Sequence, residues 1–341
     1  MMNFAIIGFG GLGKVHFRNI EEVTKVVGDI KLVAICDIEE SAFTSVVKTN
    51  ISADGGIDLS AYNLYTDLEE MLNKEKLDFV ITALPTYVHE KIAVQVMERG
   101  IHVFSEKPMA ISPEQAQNMI DVAKKNNVKL MIGQCLRYFP SYRALKELID
   151  TKEYGEVKYA NFTRLSMLPK WSWNNWFQKE ELSGGVTLDL HVHDLDFINY
   201  AFGKPESVYT KASTNFMNND TVVTHYNYAG GALITATASW AMQTQFPFTA
   251  EFIVAFEKAT VESRRGKTMI YTETEAKELD QSIEKLGLPT ENGYSNEVID
   301  FINCIRNDSI SVANPPESSK LTIDIAYAEK KSAAEGKEVA L

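Results

Sequence analysis

Gly8, Gly10 and Gly13 spell G-x-G-x-x-G over Gly8-Phe9-Gly10-Gly11-Leu12-Gly13. The segment before them, Phe4 to Ile7, is short and apolar, and a helical pattern runs on from Leu12. In that setting each glycine has a task. The first permits a tight turn, the second lets the backbone approach a pyrophosphate, and the third lets helix pack closely on strand. Backbone amides at the helix start then complement the phosphate charge. The pattern predicts a dinucleotide cradle rather than a plain structural turn. Asp37 ends the next apolar run, Leu32 to Cys36, 24 residues beyond Gly13. A carboxylate there accepts hydrogen bonds from the adenosine ribose hydroxyls and repels a 2′-phosphate. Neither Arg nor Lys occurs in Ile38-Glu39-Glu40, so NAD is expected and NADP is disfavoured. The competing role for Asp37 is a helix cap.

A second constellation is Glu106-Lys107-Pro108, after the apolar run Val103 to Ser105. The carboxyl ends of strands in open α/β sheets face the ligand crevice. A lysine there can hydrogen-bond a reacting hydroxyl and stabilise developing alkoxide. Proline restrains the local backbone and allows a cis bond. The competing reading is a solvated turn.

A third stretch runs Asp189-Leu190-His191-Val192-His193-Asp194. Leu188, Leu195, Ile198 and Phe202 are compatible with a helix, on which Asp189 and His193 at i,i+4 share a face while His191 points elsewhere. A carboxylate beside an imidazole orients it and stabilises its protonated form, as acid–base work requires. His191-x-His193 also has the look of a paired-histidine metal motif. That geometry wants a strand and further ligands, and only His225 follows, so no metal is expected.

The chain resembles the glucose–fructose oxidoreductase and inositol dehydrogenase (Gfo/Idh/MocA) family over nearly its whole length. The matching pieces are the Gly8 to Gly13 turn with His16, Thr82-Ala83-Leu84-Pro85-Thr86 with His89, and Glu106-Lys107-Pro108. Each piece alone is unspecific; together they are specific. The resemblance implies a nucleotide-binding domain followed by an open-sheet domain, with Lys107-Pro108 often joined by a cis peptide. It assigns Ala83, Leu84, Pro85, His89 and Glu106 to the cofactor, with Pro85 and Glu106 near the nicotinamide end. Lys107 serves cofactor and substrate, contacting the reacting carbon's oxygen. Asp189 and His193 match the family's acid–base pair, and Arg137 a position lining the site. The family usually has glycine where His191 stands. That departure is expected to reach the substrate or a neighbouring subunit.

The segment Trp171-Ser172-Trp173-Asn174-Asn175-Trp176-Phe177 reads as an aromatic loop. Trp173 and Trp176 are candidates to stack on a sugar ring; the alternative is a satellite core. Arg164 is a weaker candidate, and His16, His89 and His102 are read as structural or near the cofactor.

The elements that must position these groups follow from periodicity. Phe4–Ile7, Leu32–Cys36, Phe79–Ala83, Val103–Ser105 and Leu130–Gly133 read as strands buried on both faces, with helices such as Glu90 to Arg99 between them. Ser112-Pro113-Glu114-Gln115 reads as a capping box. This alternation predicts an α/β fold with a doubly wound parallel sheet, assigned to residues 1–125. Residues 126–341 read as an α+β domain with a large open, mainly antiparallel sheet. Its strands are Val157–Leu165, Thr221–Tyr228, Ala232–Trp240 and Phe248–Phe256, and late helices cover Ser295–Arg306 and Leu321–Gly336. Small and hydroxyl residues on one face, as in Ala232 to Trp240, need a cover, and the resemblance implies a homodimer or homotetramer.

Bulk properties agree. The 341 residues exceed the usual single-core ceiling. A net charge of −12 disfavours nucleic acid. No apolar run reaches the length of a membrane span. Met1 to Ile7 reads as a buried strand rather than a signal peptide. Cys36, Cys135 and Cys304 lack metal-type spacing and fit a reducing, cytoplasmic setting. The expected function is hydride transfer between NAD and a secondary alcohol of a sugar, cyclitol or related polyol. The rivals are an NAD-dependent glycosidase using transient oxidation and a non-catalytic dinucleotide-sensing regulator.

Overall fold

In the computed structural model, which describes residues 1–45, 57–170 and 172–341, the chain divides into two units. The first comprises Met1–Gln134 and Tyr294–Glu317, the second Cys135–Gly293 and Ser318–Leu341.

The apolar runs of unit one become β1 (Met2–Ile7), β2 (Ile30–Cys36), β4 (Phe79–Thr82), β5 (His102–Glu106) and β6 (Leu130–Gly133), joined at one edge by β3 (Asn63–Tyr65). All pair in parallel in the order β3-β2-β1-β4-β5-β6, which reverses between β1 and β4. Every residue of β4 and β6 is buried, because helices cover both faces of the sheet. Those helices are α1 (Gly11–Val27), α2 (Leu68–Lys74), α3 (His89–Met97) and α4 (Pro113–Lys125). Ser112 caps α4 by accepting the Gln115 N–H, while the Gln115 side chain reaches the Ile111 N–H.

The boundary expected at residue 125 moves to 134, because β6 pairs along β5 and completes the sheet. A larger correction concerns α9 (Gly293–Arg306), which sequence assigned to the second domain. Its Val298, Phe301 and Ile302 belong to the core built on Phe4, Ile6, Phe79 and Phe104. The Phe301 ring lies 5.8 Å from those of Phe79 and Phe104, edge-on. Apolar burial therefore brings α9 back to the first unit.

Unit two carries a nine-stranded sheet in the order β14-β13-β12-β11-β7-β10-β9-β8-β15. The strands are β7 (Val157–Met167), β8 (Ser207–Ser213), β9 (Thr221–Asn227), β10 (Leu233–Met242), β11 (Thr249–Phe256), β12 (Thr260–Arg264), β13 (Lys267–Tyr271), β14 (Ala276–Glu278) and β15 (Val339–Ala340). Among the described residues of this sheet, only β7 and β10 pair in parallel. The helices are α5 (Pro140–Thr151), α6 (Glu180–Ser183), α7 (Val192–Phe202), α8 (Ile283–Leu286) and α10 (Pro316–Glu335). Tyr142 of α5 and Phe197 of α7 meet Phe162 and Phe252 of the sheet, forming the aromatic core on one face.

Candidate active site

In unit one, the candidate residues gather at the carboxyl ends of β1, β2, β4 and β5, beside the point where strand order reverses. Gly8 has φ +90°, and a Cβ there would lie 2.3 Å from the Ala83 carbonyl oxygen. At Gly13 it would lie 2.0 Å from the Gly8 carbonyl oxygen. At Gly10 nothing comes within 4 Å. Close backbone packing thus requires the outer glycines, and the middle one leaves its backbone open to approach. Gly10 supplies no side-chain cap to α1, so the amides around Gly11 and Leu12 are suited to an anion.

Asp37 is aimed at the same turn. Its Oδ2 accepts the Phe9 N–H at 2.7 Å and its Oδ1 the Glu39 N–H at 2.9 Å. The Phe9 side chain is core, so Phe9 contributes backbone alone. Open amides at the helix start and a carboxylate at the end of β2 fit NAD. Sequence reasoning passed over Lys14, which is buried nearby and donates to the Ser45 carbonyl at 2.6 Å. Burial lowers its pKa against the opposing pull of Asp37. Replacing Asp37 by Ser is expected to weaken NAD binding roughly tenfold, the worth of a charged hydrogen bond. It should also raise the NADP-to-NAD ratio of kcat/KM. Steady-state kinetics with both cofactors check this, and an unchanged ratio refutes the role.

Ala83, Leu84 and Pro85 are partly exposed beside Gly8. His89 is not. Its ring is buried, with Nδ1 2.8 Å from the Pro108 carbonyl oxygen and Nε2 2.8 Å from that of Leu84. Burial lowers its pKa, although both carbonyls oppose the shift. His89 therefore braces the cofactor segment from behind. Glu106 is likewise held from within. Its Oε1 lies 2.7 Å from His16 Nε2, and its Oε2 accepts the Lys107 N–H at 3.1 Å. At 3 % exposure the carboxylate is internal. The Lys107–Pro108 peptide is cis. Between Val103 and Ala110, Lys107 alone is not buried.

In unit two, the Asp189 segment is not a plain α-helix. Thr187–His191 forms a π-turn that continues into α7. Such turns recur at functional sites. Residues 183 to 199 are all buried except Asp189 and His193. The i,i+4 pair is the only part of this segment that reaches the surface. His191 departs from expectation: it is fully buried and hydrogen-bonded within the unit. Its side chain turns into the unit rather than towards the surface.

Arg137 was expected to line the site. Its guanidinium is instead buried and bidentate to Asp196, at 2.7 and 2.6 Å, with Ser318 Oγ at 2.9 Å. Arg164 is likewise bidentate to Asp194, at 2.8 and 2.9 Å. Burial opposes each guanidinium's charge, but the facing carboxylate raises its pKa further above the ordinary value. Both arginines brace α7 through these pairs. Their aspartates lie 59 and 30 residues away, a pairing invisible to sequence periodicity. In the aromatic segment, Trp171 lies outside the described residues. Trp173 is 43 % exposed, and Trp176 packs against Phe177 at a tilt of 33°, with centroids 4.1 Å apart. Asn174 and Asn175 between them adopt left-handed backbone.

Comparison with known proteins places this geometry. Residues 2–134 match the model of an oxidoreductase family with an NAD-binding Rossmann fold, and residues 142–262 match the GFO/IDH/MocA C-terminal domain. The chain belongs to the GFO/IDH/MocA oxidoreductase family. It is 23 % identical to myo-inositol 2-dehydrogenase of Thermotoga maritima, over 100 % of this chain and 98 % of that protein. It is 25 % identical to scyllo-inositol 2-dehydrogenase (NAD(+)) of Bacillus subtilis, over 99 % of this chain and 95 % of that one. Its fold matches levoglucosan dehydrogenase, solved with NADH and levoglucosan, with a TM-score of 0.83, 18 % identity and 99 % of each chain covered.

Proposed function

We propose that this chain is an NAD-dependent dehydrogenase acting on a secondary hydroxyl or carbonyl of a sugar, cyclitol or related polyol. The observation that carries the reading is the surface opening of Asp189 and His193 in an otherwise buried segment. NAD, when bound, supplies the hydride acceptor for the oxidative direction. His193 takes the proton of the substrate hydroxyl, and Asp189 orients the imidazole and stabilises its protonated form. The Lys107 amine hydrogen-bonds a substrate oxygen and stabilises its developing charge. Trp173 and Trp176 offer ring faces to the substrate. The inositol substrates of the two dehydrogenase relatives support this class.

The test is a panel of inositols and pyranoses with NAD, followed by NADH absorbance. Turnover on at least one polyol is expected. Tight NAD binding with no turnover would point to a regulator. Cleavage of an aryl glycoside without net NADH would point to the glycosidase.

A homo-oligomer belongs to the same proposal. Strand register puts Tyr159, Val223, Leu233, Ile253 and Tyr271 on one sheet face, the one opposite the helices. Each is more than a third exposed, so this face leaves large apolar side chains uncovered among its polar ones. Light scattering should give at least twice the chain mass, and Leu233→Lys should shift the species towards monomer. A monodisperse wild-type monomer would sink this part. A reducing, cytoplasmic setting accords with three buried free thiols; burial pushes Cys36 up to about 12.

A further inference from the structure

His191 has no task in the proposed chemistry, yet it closes the π-turn that carries Asp189 and leads into His193. Its Nε2 lies 3.0 Å from the Tyr226 hydroxyl on β9 and 3.3 Å from Glu329 Oε1 on α10. The Tyr226 hydroxyl donates to that same Glu329 oxygen at 2.6 Å. All three side chains are fully buried. A turn, a strand and a helix thus meet at one hydrogen-bonded cluster, closed over contacts 35, 103 and 138 residues apart.

The charges around the imidazole explain why the cluster holds. Burial opposes a charged His191, but the field and hydrogen bond of Glu329 outweigh it and raise the pKa. Asp194 adds to this and Arg164 opposes it. Tyr226 is pushed well above the ordinary phenol range by burial and then by Glu329, so its hydroxyl stays a donor. Among the described residues His191 Nδ1 and Glu329 Oε2 have no hydrogen-bond partner, so the bonds through Nε2, the Tyr226 hydroxyl and Oε1 carry the geometry, and losing one member leaves a further costly orphan.

We propose that His191 is a positioning residue: clamped to Tyr226 and Glu329, it holds the π-turn and thereby sets the aim of Asp189 against His193. The inference rests on the acid–base reading of that pair. A π-turn closes i to i+5 hydrogen bonds and so carries one more residue than an α-turn. Relaxing it rotates everything before the turn relative to everything after it. Asp189 lies within the turn and His193 beyond it, so relaxation separates the two groups while leaving both in place along the chain.

Three variants test this: Tyr226→Phe, Glu329→Gln and His191→Asn. Tyr226→Phe removes one oxygen and keeps the ring, the smallest change of the three. Imidazole titrations are followed by NMR, with the His193 signal identified by its loss in His193→Asn. The expected result is a His193 midpoint moved by roughly half a pH unit or more, the scale on which a displaced carboxylate or hydrogen bond acts. A fall in kcat of at least about fivefold should accompany it, with NAD affinity unchanged, as for an interaction made only at the chemical step. An unmoved His193 titration and unmoved kcat in the folded variants, even with a lower unfolding midpoint, would assign the cluster to stability alone and overturn the proposal. If wild-type protein turns over no polyol, the dehydrogenase reading fails, and the His193 titration still decides the role of His191.

Discussion

Lys107→Met and His193→Asn are each expected to lower kcat by roughly 10²–10⁴-fold, the range of positioned acid–base catalysis, with NAD binding nearly unchanged. The substitutions are chosen to leave the surroundings intact. Methionine keeps the aliphatic stem of Lys107, and the backbone N–H that Glu106 accepts is untouched. Asparagine keeps a polar group at a partly exposed position of α7. Neither residue lies in the Gly8–Gly13 turn or at Asp37, so a fluorescence titration with NAD should read close to wild type. Turnover within severalfold of wild type in both single variants would remove these residues from the chemistry.

Arg164→Leu is expected to destabilise the second unit by about 3–5 kcal/mol, because it strands a buried carboxylate. Asp194 is fully buried and Arg164 is 4 % exposed, so solvent screens neither charge. Both Asp194 oxygens take their hydrogen bonds from this one guanidinium, at 2.8 and 2.9 Å. A loss of that size lowers the unfolding midpoint by roughly 10 °C in a domain of this length. The informative control is Arg164→Leu with Asp194→Leu. Removing both charges leaves no orphan and should recover much of the loss. A double variant no more stable than the single one would mean that the arginine acts through shape rather than charge. Thermal unfolding followed by circular dichroism reads all three proteins.

Legibility in the sequence followed the physics of burial. Strands covered on both faces become unbroken apolar runs, so Phe79–Thr82 and Leu130–Gly133 stand out within one or two residues of their true ends. The glycine turn was readable because its spacing lies between a strand and a helix, each imposing a separate steric demand. The edge strands were not readable. Ala276–Glu278 is exposed at every residue, and Asn63–Tyr65 is three residues long with no buried position. A one-sided or uncovered strand leaves little periodic signal. At the site, sequence placed Asp189, His193 and Lys107 at positions that reach the surface. It did not foresee that Arg137, His89 and Glu106 take internal partners. Charge at a plausible spacing cannot say which way a side chain faces, since that is decided by Asp196, the Pro108 carbonyl and His16. The π-turn was equally hidden, because its five residues have ordinary helical composition.

The return of α9 to the first unit bears on how the chain can be made. A nascent chain displaying residues 1–134 carries every strand of the dinucleotide unit but lacks Val298, Phe301 and Ile302 from its core. Vectorial folding, in which an N-terminal domain matures while the rest is still being synthesised, is therefore incomplete for this unit. The apolar patch over Phe79 and Phe104 waits for more than 150 further residues, since α9 begins only at Gly293. During that interval the growing polypeptide exposes surface that chaperones recognise, and a message truncated before α9 would yield an aggregation-prone product rather than a smaller working one.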